Sequence, residues 1–494
     1  MQDHTIVIGG SISGLVTALA LARNGRNVTV LEKESMPLPP APEAAFDGWQ
    51  RRGAPQVLQS HAFLGRMHNL IRDREPALLS ALLAAGAEQL TFREQARQYF
   101  DAPIFEPADD DIVLLACRRV TFEWVLRKHV LETGLVEIRN GTQVTGLVAE
   151  PTGASGIPRI TGVEISADSG RTTILAADRV IDASGRRSRL SDWLERLGIA
   201  RMRQEVQPCG IFYASRFYRL RDGVERPNND GIIGGDLGYV KFGVFPGDGR
   251  TFSVTLAAAP DDDPFRAILR IEGFEKVSRA LPSVWEWVRP DIAMPISEVN
   301  GMADLWNTRR HFVEHGRPLA LGLIPLGDAL VHANPLTGRG CSLAWIAAYA
   351  LAELLEQHAA EPERLVLEFE ETIEREMAPW LAMQMRQDED AIDINLALRN
   401  GEDPYRPERK DGSIDPKAYA RDVLRQGLAP AIREDLGLMR TFSRIVHMLD
   451  APRDITREGD VMMKIMSYYN SRSEREPVVR GPSREEMLAL LNSA

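Results

Sequence analysis

Thr5-Ile6-Val7-Ile8-Gly9-Gly10-Ser11-Ile12-Ser13-Gly14 passes from a strand-like run into a glycine turn, and its continuation decides the fold. Leu15 to Arg23 has the spacing of a helix closed by Asn24-Gly25, and Val28-Thr29-Val30-Leu31 is a second strand ending at Glu32. This is a βαβ opening, whose helix N-terminus offers unbonded N–H groups and a positive dipole end to a pyrophosphate. Glu32 lies near the ~20-residue spacing at which an acidic side chain takes an adenosine ribose. The middle glycine of G-x-G-x-x-G is Ser11 here, which crowds backbone approach to the phosphates. Gly9, Ser11, Ile12, Ser13, Gly14, Glu32 and Lys33 are therefore the candidate dinucleotide contacts of a Rossmann-like α/β domain.

Two later segments select the dinucleotide. Asp178-Arg179-Val180-Ile181-Asp182-Ala183-Ser184-Gly185 is a buried strand running into a second glycine turn. Pro325-Leu326-Gly327-Asp328-Ala329 ends another strand in Gly-Asp, and Asn334-Pro335-Leu336-Thr337-Gly338-Arg339-Gly340-Cys341-Ser342 leads a Pro/Gly loop into a long helix. An aspartate at a strand end accepts a ribityl hydroxyl, and a helix beginning near 340–342 aims its N–H groups at a negatively charged ring. Reduced flavin is such a ring.

The three segments together resemble the flavoprotein monooxygenases with a glutathione-reductase-type FAD domain, whose order is glycine fingerprint, D-[AG]-x-G, then G-D…P…G-x-G. Arg119-Val120-Thr121-Phe122-Glu123-Trp124-Val125-Leu126-Arg127 is similar to that family's R-x-x-[LF]-E-x-x-L-R helix. Gly53-Ala54-Pro55-Gln56-Val57-Leu58-Gln59-Ser60-His61-Ala62 is similar to the G-V-P-Q-x-x-H-x-H segment of bacterial polyketide epoxidases of the monensin and lasalocid type. His61 matches the second histidine, and Gln59 stands in place of the first. The likeness covers about residues 1–360.

That resemblance implies FAD as cofactor, with Arg119 on its phosphates and ribose, Val144, Asp328, Gly338 and Gly340 as further contacts, and His61, Pro335 and Gly338 at the reacting edge. The implied reaction inserts one oxygen atom of O2, through a flavin C4a-hydroperoxide, into a hydrophobic small molecule by epoxidation or hydroxylation. Such chemistry demands a dry cavity and N–H donors more than a side-chain acid or base. The D-A-S-G form departs from the D-G-x-x-S form that helps handle NAD(P)H in aromatic hydroxylases, so direct NAD(P)H use and a separate flavin reductase both stay open. Two rivals share the fold: a dehydrogenase or reductase of the geranylgeranyl-reductase type, slow with O2, and a non-catalytic flavin-fold binding protein.

The rest of the chain narrows the field. Its 494 residues carry 59 basic and 70 acidic side chains, so nothing draws the whole molecule to nucleic acid. Cys117, Cys209 and Cys341 are too few and scattered for a disulfide framework and read as small buried hydrophobes. Met1 to His4 lacks the basic region of an export signal, and no apolar run reaches the ~20 residues of a membrane span, so a cytoplasmic protein is expected. His311, His315 and His332 show no metal spacing, and no G-x-S-x-G elbow supports hydrolysis. Val284-Trp285-Glu286-Trp287-Val288-Arg289-Pro290 lacks the Gly and Ile of the flavin-halogenase G-W-x-W-x-I-P and reads as a helix capped by Ser283.

From about Ala200 the pattern turns to strands, with Gly210 to Arg219 alternating and Tyr239–Phe245 joined to Thr251–Leu256 as a hairpin. This antiparallel sheet is expected to roof the flavin as a substrate domain over 201–300, with 86–110 inserted into it and the FAD domain formed by 1–200 and 301–360. Phe212, Tyr213, Phe217, Tyr218, Phe242 and Phe245 are candidate cavity residues, of which half should face a ligand because strand faces alternate. Residues 361–494 read as a separate helical region: Leu365 to Met385, Val423 to Leu449 and Val461 to Tyr469. Its Met439, Met448, Met462, Met463 and Met466 read as core rather than as a pocket.

Overall fold

The computed structural model describes residues 3–35, 37–150, 156–167, 172–227, 233–475 and 480–493; Met1 and Gln2 of the N-terminal stretch read above lie outside them. His4–Ile8 is the centre of a five-stranded sheet in the order 323–325, 179–182, 4–8, 27–31, 136–139. All its pairings are parallel, which buries both faces and explains the near-continuous Ile and Val of these strands. Ile8 stands opposite both Leu31 and Asp182, and Asp182 opposite Pro325. The glycine turn, Glu32, the D-A-S-G turn and Gly327-Asp328 therefore leave the sheet at one common edge, the edge where open α/β sheets bind ligands.

The fingerprint helix, Ile12–Arg23, begins three residues earlier than its sequence spacing suggested and is buried along almost its whole length. It packs against the helices Arg339–Gln357 and Arg119–Thr133. Asn24 and Gly25 (φ 76°) close it.

The middle region is an antiparallel sheet in which Val240–Pro246 and Thr251–Ala258 form the expected hairpin, with Phe212–Leu220 beside Thr251–Ala258. The short strands Ala293–Pro295 and Asn300–Met302 both pair with Phe212–Leu220. One face packs on the helices Ile271–Ala280, Pro282–Val288 and Arg484–Asn492. Trp287 lies in that core, 1% exposed, with its ring 5.1 Å from Phe252. The helix carrying it starts after Leu281 with Pro282 in its first turn, so Ser283 is inside the helix and not its cap.

Three expectations about the remaining elements change. Residues 86–110 join the C-terminal helices more than the substrate sheet: Phe92 and Ala96 pack with Met439, and Arg440 pairs with Asp109 at 2.6 Å. Their ties to the sheet are the Arg226–Glu88 pair and the approach of Gly86 to Gly249. The C-terminal helices break where periodicity did not suggest, at Met377 between Pro362–Glu376 and Ala378–Arg399, and at Asp435, after a helical run from Pro416 that passes through a π turn at Leu424–Leu428. They are not set apart either, since Asp388 is bonded to Asn307 and Asn334 of the 301–360 segment. Of the methionines read as core, Met439 and Met448 are buried, in different clusters, while Met463 is 71% exposed. Among the described residues no helix is long and apolar enough to cross a membrane.

Candidate functional site

Steric need fixes the glycine loop. Gly9 has φ 106°, and a Cβ there would meet the Ala183 carbonyl oxygen at 2.6 Å. A Cβ on Gly14 would stand 1.8 Å from the Gly9 oxygen, so the first turn of the fingerprint helix closes only over hydrogen. Ile12, Ser13 and Gly14 supply the N–H groups of that turn, and Ser11, at the N-cap, makes no capping bond to them. Its hydroxyl donates to Glu123 at 3.0 Å and accepts from Arg119 at 3.1 Å. The residue that departs from the fingerprint is thus the tie between the loop and the 119–133 helix.

Around this loop lies a buried ionic cluster. Arg51 Nε donates to Glu123 at 2.9 Å, its Nη1 to Glu34 at 2.5 Å and its Nη2 to the Gly10 carbonyl at 3.1 Å. Arg51 also pairs with Glu32 at 3.2 Å, Arg119 with Glu123 at 2.5 Å, and Arg127 reaches the Gly10 carbonyl at 3.0 Å. Burial alone would push Glu123 up, but Arg119 and Arg51 beside it hold its carboxyl down to about 2. Glu32 accepts from Gly10 N–H at 3.1 Å and from Glu34 N–H at 3.0 Å. Lys33 is exposed, its stem against Gly53, and Val144 packs in the core on the strand that begins at the Glu32 carbonyl. Arg51, Glu34 and Arg127 had not been singled out as site residues; the basic pair Arg51-Arg52 just before Gly53 was the available signal.

The donor set fits a dinucleotide. Arg119 Nε is buried without a partner beside an uncapped helix N-terminus, and the glycine cradle is one that side chains would fill. Beyond it along the sheet edge, Gly327 (φ 63°) lies so close to Ser13 that a Cβ would stand 2.6 Å from its hydroxyl, which puts Asp328 next to the fingerprint helix. The Asp328 carboxylate accepts no bond from another side chain among the described residues and is half-buried. Asp182 is fully buried, which pushes its carboxyl up, against bonds from Ser184 N–H at 3.0 Å and Ser188 Oγ at 2.5 Å. Arg310 stitches the two turns, donating to the carbonyls of Asp328 (3.0 Å), Ala329 (3.2 Å) and Arg186 (3.0 Å).

The Pro335–Thr337 turn ends at Gly338 (φ 68°), which is also the N-cap of Arg339–Gln357; having no side chain, Gly338 leaves that helix terminus open. Pro335 and Gly340 are exposed, and a Cβ on Gly338 would meet the Ala62 oxygen at 3.0 Å, so the 53–62 loop lies against this turn. His61, half-buried and stacked 5.9 Å from Phe63, bonds through Nδ1 to the Gln59 carbonyl at 3.0 Å. A carbonyl only accepts, so Nδ1 carries the proton and Nε2 is an acceptor. Burial and the neighbouring Arg119 push the imidazole down to about 3, which keeps it neutral. The His61 proton is thus committed to its own loop.

The turn is held from behind by Asp388, on the Ala378–Arg399 helix. Asp388 accepts from Asn307 Nδ2 (2.7 Å), Asn334 Nδ2 (2.8 Å) and Gln384 Nε2 (2.8 Å). Gln384 Oε1 in turn accepts from Thr337 (2.8 Å) and Arg339 (2.9 Å). Arg339 is buried, 5.2 Å over the Trp380 ring, and burial lowers it to about 10.

The sheet shows one face to this assembly. Tyr213 packs with Ala257 and Leu336 of the turn, Phe217 lies 5.3 Å from Phe46, and Phe245 packs on the FAD-domain core. Phe212, Tyr218 and Phe242 point the other way, into the core with Trp287, and are withdrawn as cavity candidates. The strand positions alternate, and these three have the wrong parity. Elsewhere, His311 comes together with Glu370 and Glu374, but buried Arg309 already pairs with both carboxylates. Cys117 and Cys209 are buried and Cys341 is half-buried, all as free thiols.

Residues 7–64 match the family described as NAD(P)-binding Rossmann-like domain. Protein Rv3254 of Mycobacterium tuberculosis is 29% identical over 360 residues, which cover 69% of this chain and 70% of that protein. The p-nitrophenol 4-monooxygenase PnpA from Pseudomonas putida DLL-E4 superposes with a TM-score of 0.56 at 18% identity, covering 92% of this chain and 99% of that one. The myxobacterial chondrochloren halogenase CndH, an FAD-dependent halogenase, does so with a TM-score of 0.53 at 17% identity, covering 91% and 98%. The chain has the fold these two enzymes share.

Proposed function

We propose that this chain is an FAD-dependent monooxygenase that inserts one oxygen atom of O2 into a largely apolar small molecule by epoxidation or hydroxylation. The observation that carries the reading is convergence: the glycine loop, Gly327-Asp328 and the Gly338 turn meet at one sheet edge, beneath a sheet face bearing Tyr213, Phe217 and Phe245. Bound and reduced, FAD would supply the two electrons that activate O2, one oxygen atom of which goes to the substrate and the other to water. The chain's own residues do the rest. Arg119 and the first turn of the fingerprint helix would hold the pyrophosphate, Glu32 the ribose, and Asp328 the ribityl chain. The open N-terminus of Arg339–Gln357 places N–H groups and a positive dipole end where negative charge is to be held on the ring. The 53–62 loop, closed on itself by the His61–Gln59 bond, keeps water from that place. Electrons come from NAD(P)H, directly or through a separate flavin reductase. The Trp285–Trp287 segment lies in the core behind the sheet, which speaks against halide chemistry there.

Stopped-flow mixing of the photoreduced, FAD-loaded protein with oxygenated buffer tests the reading. A transient near-ultraviolet band before oxidised flavin returns is expected. Slow, featureless reoxidation that no substrate alters would favour a dehydrogenase, and failure to retain FAD a binding protein. Following NADPH oxidation with and without an added flavin reductase separates the two electron routes.

A further inference from the structure

Thr255 Oγ1 donates to Ser60 Oγ at 2.6 Å, and Ser215 Oγ and Thr255 Oγ1 share a bond of 2.8 Å. Ser215 stands opposite Asn300 on its other ladder, and the Asn300 carbonyl accepts Gln59 Nε2–H at 3.1 Å. Gln59 and Ser60 are consecutive, so these contacts close a ring in which the loop and the sheet each supply part. One atom in it is left over. Gln59 is 2% exposed, and its Oε1 has no hydrogen-bond partner. Turning the amide over does not relieve this, because the Asn300 carbonyl can only accept and so demands the N–H side. A buried acceptor without a donor is costly, which points to a donor that comes from outside the chain.

The surroundings define that donor. On their own strands the positions next to Ser215 and Thr255 on this face are Tyr213, Phe217, Ser253 and Ala257, all buried and uncharged, and Lys241, opposite Ala257 on the neighbouring strand, is already paired with Asp236. A carboxylate brings no hydrogen and would set its charge against Oε1 in apolar surroundings. Resting on the monooxygenase reading, we propose that Gln59 Oε1 and the Ser60–Thr255–Ser215 hydroxyls form a substrate-anchoring subsite for a neutral O–H or N–H group on an otherwise apolar molecule. Ala62, three residues beyond Gln59, abuts Gly338, and Tyr213 packs with Leu336. A molecule hydrogen-bonded at Gln59 thus lays its apolar body alongside the flavin-facing turn. A site built to bond a hydroxyl discriminates strongly against the analogue that lacks it.

Calorimetric titration with 2-naphthol, 2-methoxynaphthalene and 2-naphthoate, with and without FAD, tests the subsite. The expected order is naphthol at least about tenfold tighter than the ether, with naphthoate weakest. In Gln59→Leu the naphthol preference should fall to about twofold while affinity for the ether holds. Thr255→Val, nearly isosteric, is the second variant should Gln59→Leu fail to fold, and should also narrow the preference. Equal affinities for naphthol and ether in the unaltered protein, a preference that survives both variants, or no binding of any probe would each overturn the subsite. A chain that selects naphthol yet takes no FAD would leave the subsite standing and sink the monooxygenase reading instead.

Discussion

Gly14 and Ser11 sit three residues apart and were unequally legible. Gly14 is required by an atom of its own turn, so a sequence pattern suffices to find it. Gly14→Ala, with its Cβ driven onto the Gly9 oxygen, should abolish FAD retention on gel filtration or prevent folding altogether. Ser11 earns its place from Arg119 and Glu123, more than a hundred residues away in the chain, and no local spacing announces that. Arg51 was hidden for a like reason, since its partners Glu34 and Glu123 lie 17 and 72 residues from it in the chain. The cluster also sets a pH dependence. Glu123 is held down to about 2 in the fold, so the stability it confers is complete above the ordinary carboxyl range, near ~4.3, and is lost as pH falls from there toward 2. His61, pushed down to about 3, costs stability as pH falls below ~6.5, because the unfolded chain takes up the proton first. Glu123→Gln should lower neutral stability by ~3–5 kcal/mol, the usual consequence of breaking a buried pair, and flatten the lower window. His61→Phe should flatten only the upper one. Urea midpoints measured from pH 7 to pH 3 distinguish the two.

Among the elements, strands and turns differed in what they disclosed. Alternation in Phe212–Leu220 foretold that about half of its aromatic residues face the cofactor side, but parity alone cannot say which half. That choice is made by what packs beneath, Leu336 and Phe46 on one face and Trp287 on the other. The Asn334–Gly338 turn was recognisable from Pro and Gly, whereas its support by Asp388, on a helix 54 residues further on, was not. Asp388→Ala leaves three amide N–H groups without their acceptor and should cost ~3 kcal/mol or more of stability. Because those groups position the turn rather than touch FAD, its FAD dissociation constant should rise about tenfold, with Asp388→Glu intermediate, as read by flavin fluorescence.

At the scale of the molecule, the sheet is fastened to the FAD domain at Asp248, in the hairpin turn. Buried Asp248 accepts from Arg118 N–H at 2.8 Å, from its guanidinium at 2.6 Å and from Thr121 at 2.9 Å. Arg118 directly precedes Arg119, so the roof and the phosphate site share one helix start. FAD binding should therefore stiffen the hairpin as well as the glycine loop. In hydrogen exchange, adding FAD at a hundredfold excess over its dissociation constant should protect both segments and raise global stability by ~2.7 kcal/mol. Asp248→Ala should leave protection of the glycine loop while removing that of the hairpin.

The parallel sheet has a further consequence for the birth of the protein. His4–Ile8 pairs with Arg179–Asp182, made long after it, which in turn pairs with Leu323–Pro325, made later still. The whole roof is synthesised between those last two strands. A nascent chain released before Gly340 would own the fingerprint in full and still lack the floor of the cradle. Contacts so far apart in sequence form slowly. Cofactor loading is thus a late event in the life of each molecule, and a supply of FAD during expression should govern how much chain matures.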